Sequence, residues 1–103
     1  MTEPHLTKDQ CVLIESILRH HLPKNTEIWV FGSRTTSHHK PFSDLDLFIK
    51  SVSSINKNSL TQCEYTLEAS SFPYKVDLLD WSSVNKKFRQ VIENNPHFLW
   101  FII

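Results

Sequence analysis

Two stretches of the chain decide its fold: residues 27–34, EIWVFGSR, and residues 44–50, DLDLFIK. The first is β-branched and aromatic up to Gly32, so it predicts a strand over Glu27–Phe31. The second begins by alternating polar and apolar residues, which predicts a strand over Asp44–Lys50 with two different faces. The polar residues between them, Ser33–Ser43, lack periodicity and predict a loop with a helical turn at its start.

The remaining elements follow from apolar spacing, chain breakers and caps. The pattern predicts a helix from about Thr7 to His21 with a Thr7–Gln10 capping box, and a helix over Ser59–Ser70 capped by Ser59. Residues 74–80, YKVDLLD, predict a third strand. A last helix, capped by Ser82 or Ser83, has four apolar residues at helical spacing: Val84, Phe88, Val91 and Ile92. This order predicts an α+β fold of two layers, a small mixed β-sheet with helices packed on one face.

The C-terminal residues 97–103, HFLWFII, are almost wholly apolar. Such a run would be exposed if the terminus frayed, so it needs a partner surface. Either it is an edge strand of this domain's own sheet or it packs on another protein. We favour the sheet, with a partner covering some of the aromatic faces.

Composition excludes several classes of protein. A length of 103 residues predicts a single domain over residues 1–103, and 11 basic against 11 acidic residues make nucleic acid an unfavourable partner. No apolar run reaches a membrane span of about 20 residues, and the N-terminus lacks the pattern of a secretory signal. The two cysteines, Cys11 and Cys63, have no metal spacing and predict reduced thiols in a cytoplasmic protein. A single glycine excludes a P-loop and a dinucleotide fingerprint.

Three carboxylates are candidates for chemistry. Asp44 and Asp46 are two residues apart on a predicted strand, so both leave one face with Cα atoms about 6.6 Å apart. Side chains leaning together from that distance can bracket two cations, as in phosphoryl-transfer sites. Asp77 joins them if the third strand neighbours the second. Solvent-facing acids are the alternative for Asp44 and Asp46, whereas Asp77 lies in an apolar strand and needs a partner.

A strand that ends in Gly32-Ser33 and turns into a helix exposes N–H groups and a hydroxyl that can hold phosphate oxygens. The alternative is an ordinary turn. Arg34 follows this turn, and a surface arginine in a polar loop is the interpretation we favour for it. The six histidines lack ligand spacing and are expected to be solvated. His38 and His39, with Lys40, lie in the same predicted loop and could make a minor phosphate contact.

Taken together, Gly32-Ser33-x10-Asp44-x-Asp46 and the later KVDLLDW resemble the minimal nucleotidyltransferase (MNT) domains of the DNA polymerase beta-like nucleotidyltransferase superfamily. The resemblance maps the family's third carboxylate onto Asp77. It implies transfer of a nucleoside monophosphate from an NTP, expected to be ATP, to an acceptor hydroxyl. It further implies two Mg²⁺ ions held by Asp44, Asp46 and Asp77, with Asp77 placed to assist as base and the Gly32, Ser33 and Arg34 turn at the nucleotide.

The chain ends soon after the predicted catalytic strands, so we expect the acceptor to be held by another polypeptide. Small members of the family are often paired with a HEPN-domain protein in toxin–antitoxin modules, and the resemblance implies the same pairing and an antitoxin role here. The alternative is a non-catalytic antitoxin or scaffold that binds its partner stoichiometrically. Nucleic-acid polymerisation is a weaker interpretation because zero net charge offers no template groove.

Overall fold

A computed structural model describes residues 3–35 and 43–103. The described chain forms three helices, which are α1 (Lys8–His21), α2 (Lys57–Ala69) and α3 (Lys86–Glu93). It forms four strands, which are β1 (Thr26–Phe31), β2 (Leu45–Ser51), β3 (Val76–Asp80) and β4 (His97–Ile102). Two short 3₁₀ turns, Gly32–Thr35 and Trp81–Ser83, follow β1 and β3. The order predicted from the sequence is therefore confirmed.

The four strands form one mixed sheet in the order β3-β2-β1-β4. β1 runs antiparallel to both β2 and β4, whereas β2 and β3 are parallel. A parallel pair needs a crossover connection, and α2 supplies it between β2 and β3. The predicted α+β class, with a small mixed sheet and a layer of helices, is confirmed.

Alternation along the strands separates a core face from an open face. Residues at alternate positions of β1 and β2 are fully buried with residues of α1 and α2: Ile28, Val30, Leu45, Leu47, Ile49, Ile14, Leu18 and Cys63. The residues between them belong to the other face of the sheet, where Trp29 stacks on Phe48 with ring centroids 5.4 Å apart. The main hydrophobic core therefore lies on one side of the sheet, and Asp46 of β2 and Asp77 of β3 lie on the other, where Phe48 is also buried.

The helix starts were predicted with mixed success. α1 begins with the predicted capping box, in which the Gln10 N–H donates to the Thr7 hydroxyl and the Thr7 N–H donates to the Gln10 side chain. The predicted serine caps were wrong, because α2 is capped by Asn56 and α3 by Asn85. An asparagine carbonyl accepts the exposed N–H groups of a first turn as well as a serine hydroxyl does.

The predicted inward stripe of α3 is only partly buried. Ile92 is buried, but Phe88 is 42% and Val91 51% exposed. Ile92 does not join the core beneath α1 and α2, and it borders an apolar cavity with Phe31 of β1. Helical spacing indicates which side chains share a face, but it does not determine whether a neighbouring element covers that face.

The apolar C-terminal residues form an edge strand, as favoured from the sequence. β4 pairs with β1, and the Ile103 N–H donates to the Thr26 carbonyl over 2.9 Å. Trp100 is buried in the core. None of the helices in the described part of the chain combines the length and the apolar character that crossing a bilayer requires.

Candidate active site

The turn after β1 places Gly32 directly against a carboxylate. Gly32 has a φ of 77°, in the left-handed region that side chains disfavour. A Cβ built at this position would overlap Oδ2 of Asp46 and lie 3.3 Å from its Cγ. The only glycine of the chain therefore occupies a position where both the backbone conformation and the neighbouring acid exclude a side chain.

Asp46 and Asp77 are brought together by the parallel pairing of β2 and β3. The two residues are register partners across the pair, so their side chains leave the same face of the sheet. The two carboxyl groups lie close enough for the charge of Asp77 to raise the pKa of Asp46. The prediction that the third strand neighbours the second, and that Asp77 thereby shares a face with Asp46, is confirmed.

The environment of Asp46 disfavours its charged form. Burial, followed by the neighbouring Asp77 and Asp44 carboxylates, together raise the pKa of Asp46 to about 6. Lys75 acts in the opposite direction and lies 3.4 Å from Oδ1 of Asp77 through its Nζ. Because the Lys75 side chain is 70% exposed, this ion pair is solvated and weak.

Asp44 lies at the rim of this pair. The strand begins at Leu45, one residue later than predicted, and Asp44 is exposed just before it. Within residues 3–35 and 43–103, no three His, Cys, Asp or Glu side chains are gathered closely enough to form a ready metal centre. The donor set nevertheless fits Mg²⁺, because two carboxylates in contact with a third nearby offer hard oxygen ligands whose mutual repulsion a cation would relieve.

The carboxylate pair opens into a cavity of about 400 Å³, the acid-lined cavity, which also contacts Phe31, Leu79 and Phe88. Glu64 of α2 lines it too, and no pattern in the sequence indicated that residue. A second cavity of about 400 Å³, the apolar cavity, is lined by Gly32, Thr35, Val91, Ile92, Asn95 and Pro96. Phe31 and Phe88 line both cavities, so the two adjoin.

The 3₁₀ turn Gly32–Thr35 is the helical turn predicted at the start of the loop. Ser33 is exposed in this turn, and the Thr35 hydroxyl donates to the Gly32 carbonyl over 2.7 Å. The predicted phosphate contact of Ser33 stays a prediction. Residues 36–42 of the predicted loop, which include His38, His39 and Lys40, lie outside the described residues.

Arg34 does not occupy the surface position that we favoured from the sequence. It is 3% exposed, and its guanidinium donates to the carbonyl oxygens of Ser43 and His5. It also lies 4.4 Å above the centre of the Tyr74 ring. The correction has a physical reason: these backbone carbonyls and this ring converge only in the folded chain, so the local polarity of the loop gave no sign of them.

Gly32→Ala should destabilise the protein by about 1–3 kcal/mol, because it combines left-handed strain with displacement of the Asp46 carboxylate. Asn25→Ala is a matched control, since Asn25 also has a positive φ of 63° but does not adjoin the acidic pair. Urea denaturation of both variants measures the difference. An equal loss for the two variants would contradict the close approach of Gly32 to Asp46.

Asp46→Asn should raise the melting temperature at about pH 7.5 in EDTA, and the gain should vanish near about pH 4. The folded state raises the pKa of Asp46, so the stability that its protonated form contributes is complete at low pH and is lost as pH rises through about 6. Asp9→Asn, which removes a carboxylate from the first turn of α1, should show no such gain. A gain that is independent of pH would contradict this interpretation.

Comparison with known proteins supports a common ancestry for these features. The family model described as "Polymerase beta, Nucleotidyltransferase" matches residues 13–100. The chain is 32% identical over 87 residues to the probable protein adenylyltransferase MntA of Haemophilus influenzae, covering 84% of this chain and 75% of that relative.

Solved structures share the fold. A toxin–antitoxin complex with AMP-PNP matches with a TM-score of 0.73 at 22% identity, over 95% of this chain and 75% of that one. A complex of tri-AMPylated Shewanella oneidensis HEPN toxin with MNT antitoxin matches with a TM-score of 0.70 at 20% identity, over 95% and 74%. The family match spans most of the chain and confirms the resemblance seen in the sequence, and the chain therefore belongs to the polymerase beta nucleotidyltransferase family.

Proposed function

We propose that the protein is an Mg²⁺-dependent protein adenylyltransferase that transfers AMP from ATP to a hydroxyl group of a HEPN-domain partner, and that it acts as the antitoxin of that pair. The observation that carries the proposal is the in-register pair of Asp46 and Asp77 packed against the Gly32 turn. The similarity to a probable protein adenylyltransferase supports the reaction type, and the toxin–antitoxin structures of the same fold support the kind of partner.

Each carboxylate has a distinct role in this proposal. Asp44 and Asp46 would hold the cation at the triphosphate, and Asp77 would join them in holding a second cation at the acceptor. When bound, Mg²⁺ supplies positive charge that offsets the phosphates and lowers the pKa of the acceptor hydroxyl. The acceptor oxygen forms a bond to the α-phosphorus while the bond to pyrophosphate breaks, and Asp77 is placed to receive the hydroxyl proton.

The two adjoining cavities match the two chemical halves of a nucleotide. The acid-lined cavity contains Asp46 and Asp77, and the exposed Ser33 turn lies beside it, as cation-bound phosphates require. The apolar cavity offers Phe31, Phe88 and Val91 to an aromatic base. We therefore place the adenine in the apolar cavity and the triphosphate across the boundary that Phe31 and Phe88 share.

The proposal also covers the side from which the acceptor approaches and the cellular compartment. The open face of the sheet carries the acidic pair, so a partner that supplies the hydroxyl has to approach from that side. Cys11 and Cys63 are both free and buried, which supports a reducing compartment such as the cytoplasm. We treat residues 1–103 as one nucleotidyltransferase domain.

Asp77→Asn should reduce label transfer from ATP to the co-purified HEPN-domain partner by about 100-fold or more, because it removes the proposed base and cation ligand. The assay uses ATP labelled at the α-phosphate with Mg²⁺ and detects label on the partner. Asp80→Asn is the matched control, since Asp80 lies on the same strand but caps the following turn through the Ser82 N–H over 3.1 Å.

The expected result is full transfer with Asp80→Asn and almost none with Asp77→Asn. Stable binding of the partner without any transfer by the unaltered protein would contradict the enzymatic proposal. That outcome would favour the non-catalytic antitoxin or scaffold instead.

Val91→Lys should weaken ATP binding by about tenfold or more, because a charged side chain in the apolar cavity opposes burial of the base. Val12→Lys on α1 is the matched control, since Val12 is 58% exposed against 51% for Val91 and does not line either cavity. Calorimetric titration with ATP and Mg²⁺ measures both. Equal affinities for the two variants would place the base elsewhere.

A further inference from the structure

We propose that Arg34 is a positioning residue that sets the Asp44 carboxylate by holding the peptide group immediately before it. The effect of Arg34 on catalysis rests on the proposed function. Its positioning of the Ser43–Asp44 peptide group is inferred from the contacts of Arg34. Arg34 is buried, and two of its N–H groups, Nε and Nη2, donate to the Ser43 carbonyl over 3.2 and 3.0 Å. Ser43 is the residue that precedes Asp44.

Because the peptide unit is planar, fixing the Ser43 carbonyl also restrains the backbone of Asp44. The Ser43 carbonyl, the Asp44 N–H and the Asp44 Cα lie in one plane, so fixing the carbonyl direction fixes where the Asp44 backbone begins. On the other side, the Leu45 N–H donates to the Lys75 carbonyl over 2.9 Å. Asp44 thus lies between two anchored peptide groups although it is exposed and precedes the strand.

The same guanidinium also contacts the N-terminal segment and the segment before β3. Nη1 of Arg34 donates to the His5 carbonyl over 3.1 Å, and the His5 N–H donates back to the Arg34 carbonyl over 3.1 Å. The ring of Tyr74 lies beneath the guanidinium at 4.4 Å. Tyr74 precedes Lys75, so the arginine contacts the chain on the β2 side and on the β3 side of the acidic pair.

The chemistry of these contacts requires arginine rather than any cation. A planar guanidinium can donate two N–H groups to one carbonyl, a third to another and still stack on a ring, whereas an ammonium is a compact charge that cannot do all three. A residue that only neutralised a triphosphate would retain much of its effect as lysine. Arg34→Lys therefore separates the positioning role from direct phosphate binding.

The first measurement needs no metal and no nucleotide. In the metal-free protein, amide hydrogen exchange followed by NMR should show about tenfold faster exchange in Arg34→Lys at Leu45, whose N–H donates to the Lys75 carbonyl, relative to Ile49 in the middle of β2. Arg89→Lys is the matched control, because Arg89 also donates to a backbone carbonyl, that of Trp81 over 2.6 Å, and lies 5.2 Å from the Trp81 ring centre. Arg89→Lys should leave the ratio of the Leu45 exchange rate to the Ile49 exchange rate unchanged.

The second measurement tests the consequence for the cation. Mn²⁺ binding followed by electron paramagnetic resonance should weaken by about tenfold in Arg34→Lys and stay unchanged in Arg89→Lys. Tyr74→Leu keeps the N–H donors and removes the ring, so it should give a smaller effect of the same kind. This variant keeps the proposal testable if Arg34→Lys does not fold.

The outcomes distinguish the positioning of the backbone by Arg34 from its effect on cation binding. Exchange at Leu45 that rises no more than at Ile49, or rises equally in Arg89→Lys, would overturn the positioning role of Arg34. Unchanged Mn²⁺ affinity in Arg34→Lys would overturn its link to the cation. Failure of the unaltered protein to bind Mn²⁺ would count against the proposed function, and the exchange data would still decide whether Arg34 holds the segment.

Discussion

The close approach of a backbone turn to a carboxylate is the constraint on which this site depends. Gly32 leaves no room for a Cβ beside Asp46, and the parallel register of β2 and β3 brings Asp77 to the same point. The turn, the second strand and the third strand therefore meet within one contact region. A side chain at Gly32, or a shift of one residue in the register of β3, would separate them, because a one-residue slip turns every side chain to the opposite face.

This arrangement is unfavourable for folding and suited to binding a cation. Burial and two neighbouring acids raise the pKa of Asp46, so the folded state disfavours its ionised form near neutral pH. The fully buried apolar residues on the opposite face of the same strand, Leu45 and Leu47, hold it in place despite this cost. Such an opposition between the stability of the apo protein and the chemistry of its site is common in enzymes.

A single sheet both buries the core and positions the acids. The same sheet that buries its core against α1 and α2 presents the acidic pair and the aromatic residues Trp29 and Phe48 on the other face. Arg34 adds a buried cation that ties the segment before β2 to the segment before β3. The open face is thus the surface on which nucleotide and acceptor have to meet in the proposed reaction.

Local patterns determined much of this protein. The alternation in residues 44–50, the stop at Gly32, the capping box of α1 and the acid within β3 are each visible in a few consecutive residues, and the predicted strands and helices followed from them. The family resemblance also rests on such short motifs, and the family match confirms it. These features could be predicted because their physical causes, side-chain periodicity, left-handed backbone and end capping, act over short distances along the chain.

Tertiary structure alone decided the rest. Nothing local to Arg34 indicates that carbonyls from residues 5 and 43 and a ring from residue 74 converge on it, and the polar loop around it favours a surface position. The predicted burial of the α3 stripe was wrong for the same reason, since Phe88 and Val91 stay 42% and 51% exposed within the described part of the chain. Local sequence specifies what a segment can form, but burial and contact depend on residues distant in the chain, and only the folded structure brings those together.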